Sequence, residues 1–144
     1  MKEFTEIKEM TINWAKNVNV CSMNYNKLEK AETFKELLDV FKSNFNWCCN
    51  HKFLESEILQ NTELSILNEN EIYLNQNCKN GYLVAYGNST VEAYGNSTVK
   101  AWDNSYINVF STIEVKLSDN AIARYQNTKT IKIAENSEYS IAKN

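Results

Sequence analysis

Apolar residues recur at helical spacing through the first half of the chain, and at a spacing of two within an eight-residue repeat through the second. Phe4, Ile7, Thr11 and Trp14 fall near one face of a helix that ends around Asn17. A polar connection through Asn19, Asn24 and Asn26 follows. Thr33 and Glu36 then form a capping-box pattern, in which hydroxyl and carboxylate each satisfy a free backbone N–H. Behind them Phe34, Leu37, Leu38, Phe41, Phe45 and Cys48 mark one apolar helix face, with Lys35, Asp39, Lys42 and Asn46 on the others. A shorter helix is expected over 53–59, with Phe53, Leu54, Ile58 and Leu59 as its apolar side, and a first strand at 72–74.

From Leu83 the chain reads in eights: LVAYGNST, VEAYGNST, VKAWDNSY, INVFSTIE, VKLSDNAI, ARYQNTKT, IKIAENSE and the remnant YSIAKN. The first column, from Leu83 through Val91 and Val99 to Tyr139, is apolar, and so is the third, from Ala85 through Ala93 and Ala101 to Ile141. Residues two apart on a strand share a face, so both columns point inward. The column between them (Glu92, Lys100, Asn108, Lys116, Arg124) is almost wholly polar and points out. Gly87, Gly95, Asp103, Ser111 and Asp119 fill a fifth column suited to tight or left-handed turns. The sixth is mostly asparagine, whose amides can bond to one another when stacked.

These patterns predict an α+β chain. A small helical domain over 1–63 and a transition over 64–82 lead into a parallel β-solenoid of eight-residue repeats over 83–144. The thin Val/Ala interior favours a flattened two-sided coil of about sixteen residues per turn over a three-sided one of about twenty-four. The helical half is expected to cover the first turn. The last has no evident cap, which suits homo-oligomerisation through that end.

Composition narrows the function classes. The net charge is −3 and Arg124 is the sole arginine, so direct nucleic-acid binding is not expected. Residues 1–25 carry charges throughout, unlike a signal peptide, and no stretch approaches the roughly 20 apolar residues of a membrane helix. Four cysteines without a spaced framework read as reduced thiols of a cytoplasmic protein.

Candidate chemistry is sparse. Cys48, Cys49 and His51 invite a metal reading, but adjacent helical cysteines point about 100° apart, and no second Cys/His pair stands at zinc spacing. No metal or cofactor is expected. The repeats carry six acidic and six basic residues scattered across columns, with no nucleophile–His–acid set and no phosphate loop. An enzyme is therefore not expected. The fourth column stands out: Tyr86, Tyr94, Trp102 and Phe110 should form an outward aromatic ladder. In a two-sided arrangement Tyr86 would sit with Trp102, and Tyr94 with Phe110. Such rings serve as a binding strip, as stabilising cross-strand stacks, or as both.

Over about 81–133 the chain resembles octapeptide-repeat proteins of bacteriophages, prophages and other mobile elements. The resemblance is strongest in the tandem octads LVAYGNSTVEAYGNSTVKAWDNSY and extends to the segment STIEVKLSDNAIARY that follows them. The helical run ETFKELLDVFKSNFNWCC resembles the helical segment that precedes such arrays. The resemblance implies a small accessory protein that binds host machinery inside the bacterial cell, including inhibition of an antiviral complex such as a CRISPR nuclease. The residues themselves imply a non-catalytic interaction protein. Self-assembly through the repeats and glycan binding by the aromatic ladder stand as alternatives.

Overall fold

The computed structural model describes residues 1–110, 114–125 and 142–143. It divides into two compact units, Met1–Asn70 and Glu71–Asn144.

The first unit is helical: α1 (Phe4–Asn17), α2 (Ser22–Lys30), α3 (Phe34–Ser43), α4 (Phe45–Asn50), a 3-10 turn at Leu54–Ser56 and α5 (Leu64–Glu69). Helix α1 buries Ile7, Thr11 and Ala15. The Thr11 hydroxyl donates to the Ile7 carbonyl at 2.8 Å, so a polar side chain sits in the core without an unmade bond. The asparagine-rich stretch expected as a connection is instead the helix α2. It buries only Leu28, too few apolar residues for periodicity to reveal. Its C-terminal carbonyls are capped from α1, where Lys8 Nζ donates to Glu29 O at 2.6 Å and Ala31 O at 2.7 Å. At α3 the Thr33 hydroxyl accepts the Glu36 N–H at 3.2 Å. The other half of the expected box is displaced by one residue, since the Glu36 carboxylate takes the Glu32 N–H at 2.6 Å.

The single helix expected from Phe34 to Cys48 is two helices. Asn44 has left helical geometry at φ −126°, and its amide donates back to the Val40 carbonyl at 2.8 Å. That side-chain bond competes with the backbone ladder and ends α3. The helix expected over 53–59 is only the 3-10 turn, closed by Glu57 at φ 63°. Phe53, Leu54, Ile58 and Leu59 are nonetheless buried. Phe53 stacks on Phe41 at 4.9 Å and meets Trp14 edge-on at 4.8 Å.

Among its described residues the second unit has eight short strands: β1 (Ile72–Leu74), β2 (Gly81–Ala85), β3 (Thr90–Ala93), β4 (Ser97–Ala101), β5 (Tyr106–Val109), β6 (Glu114–Leu117), β7 (Ile122–Tyr125) and β8 (Ala142–Lys143). They form two parallel four-stranded sheets, β1-β2-β4-β6 and β3-β5-β7-β8. Leu83 pairs with Val99 and Val99 with Val115, while Val91 pairs with Ile107 and Ile107 with Ala123. Buried residues of both sheets make one core, including Leu83, Val91, Val99, Ile107, Val115 and Ala123.

The expected β-solenoid over 83–144 is corrected by this topology. The described strands form two small parallel sheets in an α+β chain, and those sheets start ahead of the octads. Strand β1 pairs with β2 ten residues on (Ile72↔Tyr82), not sixteen, so the first connection is too short to be an octad pair. Hydrophobic periodicity dictates which residues face inward. It is blind to how the strands are shared among sheets, because any parallel arrangement buries the same columns. Val84, in the otherwise polar outward column, is buried. The octads after Tyr125, and with them the expected uncapped end, lie outside the described residues apart from 142–143.

Candidate functional site

All four aromatic residues of the fourth octad column follow directly on strands, and the parallel register brings them together in pairs. Tyr86 follows β2 and Trp102 follows β4, and their rings stack at 5.1 Å with 18° between planes. Tyr94 follows β3 and Phe110 follows β5, and these stack at 4.7 Å and 9°. Each sheet thus carries one stacked pair at the same end of its strands. Tyr94 is 36% exposed and Phe110 37%; Tyr86 and Trp102 are half-buried.

Polar groups surround the second pair. Partial desolvation and the Glu92 carboxylate, to which the phenol hydrogen-bonds, hold Tyr94 above the usual tyrosine range. Asn77 Nδ2 donates to Glu92 Oε1 at 3.4 Å, while Asn77 Oδ1 accepts the Glu92 N–H at 2.9 Å. Burial alone raises the Tyr86 phenol.

Two kinds of corner hold these rings in register. Gly87, Gly95, Asp103 and Asp119 all have positive φ, at 67°, 58°, 57° and 53°. The Asp103 carboxylate accepts the Gly87 N–H at 3.0 Å, and the Asp119 carboxylate accepts the Asp103 N–H at 3.2 Å. Asn120 Nδ2 donates to Asn104 Oδ1 at 3.1 Å, an amide contact of the kind expected in the sixth column. Inside two of these corners a buried serine turns back on the chain: Ser97 Oγ donates to Tyr94 O at 2.6 Å and Ser105 Oγ to Trp102 O at 2.8 Å.

The segment between β1 and β2, expected only as part of the transition, is tied into the sheets by its side chains. Three of its asparagines act as acceptors for backbone N–H groups of the following strands and turns. Asn75 Oδ1 takes the Tyr86 N–H at 2.8 Å, Asn77 Oδ1 that of Glu92, and Asn80 Oδ1 that of Asn96 at 3.0 Å. Cys78 forms an isolated parallel bridge with Ala93. These contacts finish the start of both sheets, where strand edges otherwise leave N–H groups open. The clue was available in the sequence as the run NQNCKN, in which three short amide side chains suit backbone mimicry.

In the helical unit an open groove of about 550 Å³ lies between α2 and α3, with Lys27 and Lys30 on one wall and Glu36 and Asp39 on the other. Its acids are already engaged. Lys35 binds Asp39 at 2.7 Å and Lys42 does so at 3.3 Å; the Lys35 ammonium, with Lys42 beside it, holds Asp39 below the usual carboxylate range. Cys48 is buried, and desolvation pushes its thiol up to about 12. His51 stacks on Trp47 at 3.8 Å and uses Nδ1 on the Trp47 carbonyl at 2.8 Å. No group of three or more potential metal ligands occurs among the described residues. No helix among them is long and apolar enough to cross a membrane.

Comparison with known proteins finds no matching family model, no matching characterised relative and no matching solved structure.

Proposed function

We propose that this chain is a non-catalytic protein-binding accessory protein of a phage or mobile element, acting inside the bacterial cell on a host protein complex of antiviral defence such as a CRISPR nuclease. One observation carries the binding part: each sheet displays a preassembled aromatic pair, Tyr86–Trp102 and Tyr94–Phe110, with the second more than a third exposed. Rings that are already stacked lose little further side-chain freedom when a partner packs on them, which is the property of interface anchors. The likeness of the VxAYGNST octads to repeat proteins of mobile elements supports the accessory role and the host target. The same stacking weighs against glycan binding. A sugar lies on a ring face, and within each pair two faces are spent on the neighbouring ring.

The experiment is a phage-plating assay on cells with an active CRISPR nuclease, expressing either the wild-type chain or the Tyr94→Ser/Phe110→Ser double variant. The wild type should restore plaques and the variant should not, at equal folded protein level. Immobilised wild type should retain a host protein that the variant releases. Equal plating and equal retention by both chains would remove the rings from the function.

A further inference from the structure

We propose that Asn80 is a self-modification site, at which the side-chain amide converts to aspartate and isoaspartate, and that the fold gates this conversion. Of the three glycines only Gly81 follows an asparagine. Two independent packing demands fix that pair. Gly81 has φ +135°, and a Cβ there would lie 2.4 Å from the Glu71 carbonyl oxygen, so only glycine fits. Asn80 supplies the oxygen that takes the Asn96 N–H, and that oxygen lies 2.6 Å from where a Cβ on Gly95 would stand. The fold therefore keeps a chemically weak dipeptide at this corner, with the glycine fixed by packing and the asparagine serving as an acceptor.

The weakness has a simple cause. With no side chain on Gly81, its backbone nitrogen is unhindered for attack on the Asn80 side-chain carbonyl. The Gly81 N–Cγ bond forms, the Cγ–Nδ2 bond breaks, and the amide proton departs with the amino group as ammonia. Water then opens the cyclic imide at either carbonyl. Opening at Cγ gives aspartate. Opening at the main-chain carbonyl gives isoaspartate, whose main chain runs through the side-chain methylene. Water is the one co-reactant, and Asn80 is exposed to it.

The gate is Asn96. It holds both reacting groups at once: its N–H is bonded to Asn80 Oδ1 at 3.0 Å, and its carbonyl accepts the Gly81 N–H at 3.3 Å. Attack requires the amide to turn and the nitrogen to shed its acceptor, so conversion waits on local release of this corner. The two products then differ. Aspartate still offers an oxygen to Asn96. Isoaspartate lengthens the main chain ahead of Gly81 and pulls both the Gly81 contact and the Tyr82 N–H bond to Glu71 O, 2.8 Å, out of register.

The full-length chain is held at mildly alkaline pH, in buffer and in denaturing urea, then digested and quantified by mass spectrometry, with isoaspartate scored by enzymatic methylation. Conversion at Asn80 should be at least about tenfold faster in urea, the slowing that two modest hydrogen bonds produce. It should also outrun conversion at Asn88 and Asn104, which precede serine. Amide exchange at Gly81 and Tyr82 should rise in isoaspartate-bearing protein and stay native in the Asn80→Asp variant. Equal rates in buffer and urea, no conversion in urea, or matching rates at Asn88 would each overturn the proposal. So would native exchange in the isoaspartate form.

Discussion

The Asp119 carboxylate accepts the backbone N–H of Asp103 at 3.2 Å, sixteen residues earlier, and both residues sit in the left-handed region. Asp103 repeats the arrangement toward Gly87 at 3.0 Å. Aspartate does two things at this corner: it tolerates positive φ, and it satisfies an N–H left over by the turn. Asp103→Asn keeps both and should change stability by less than about 0.5 kcal/mol. Asp103→Gly keeps the turn but loses the bond, for about 1 kcal/mol. Asp103→Ala loses both, for about 2–3 kcal/mol. Urea unfolding midpoints of the three variants check this order, and an Ala variant as stable as the Gly variant would contradict it.

Two glycines at equivalent corners should respond differently to one added methyl group. Gly87 and Gly95 have φ of 67° and 58°, so each Gly→Ala change incurs the left-handed cost of about 1–2 kcal/mol. A Cβ on Gly87 meets nothing within 4 Å, whereas on Gly95 it lies 2.5 Å from the Lys79 carbonyl oxygen. That oxygen is backbone and cannot step aside. Gly95→Ala should therefore be the more destabilising by about 1–3 kcal/mol, read as the difference in thermal midpoints. Gly87→Asn should be close to neutral, since asparagine accepts this region and space is open.

How much of this was legible in the sequence depends on the range of the interaction concerned. The inward columns, the positive-φ turn column and the pairing of Tyr86 with Trp102 and Tyr94 with Phe110 rest on short-range periodicity, and the residues carry it openly. The helices α1 and α3 were equally plain, because Ile7 and Thr11, then Leu37, Leu38 and Phe41, repeat at helical spacing. Helix α2 was hidden, since its polar sequence is held by Leu28 and by a lysine cap from α1 that no local pattern announces. The assembly of the strands into sheets was hidden for a similar reason. A repeat specifies faces, while the ten-residue step from β1 to β2 and the amides of Asn75, Asn77 and Asn80 specify where the sheets begin. The ring pairs were visible as candidates, and the Asn77–Glu92–Tyr94 contacts beside one of them were not, because they join segments fifteen residues apart.

The stacked rings should be energetically coupled as well as adjacent. Aromatic pairs are worth about 0.5–1.5 kcal/mol beyond the area they bury. Double-mutant cycles with Tyr94→Ala and Phe110→Ala, and with Tyr86→Ala and Trp102→Ala, should each return a coupling in that range by urea unfolding. Single substitutions in the half-buried Tyr86–Trp102 pair should cost more than those in the more exposed pair. A coupling of zero at Tyr94–Phe110 would mean that the two rings do not hold each other in place, and would count against the preassembly on which the binding proposal rests.

Buried thiols give the chain a defined alkaline limit. Burial raises the Cys48 thiol from 9.0 to about 12 and raises Cys78 as well, where a hydrogen bond to Ser97 opposes the effect. The sign follows from the protons bound. Above pH 9 the unfolded chain releases a Cys48 proton that the folded chain keeps until about pH 12, so the native state binds more protons across that window. Stability should hold steady below pH 9 on this account and fall as pH rises through the window. Cys48→Ala should be less stable at neutral pH, because it leaves a cavity, yet lose less on going from pH 8 to pH 11. Alkylation at pH 8 should modify the exposed Cys21 in the folded chain, and reach Cys48 and Cys78 only after unfolding. Rapid native labelling of Cys48 would contradict its burial, and an identical alkaline slope in the alanine variant would assign the pH dependence to other groups, Tyr86 and Tyr94 first among them.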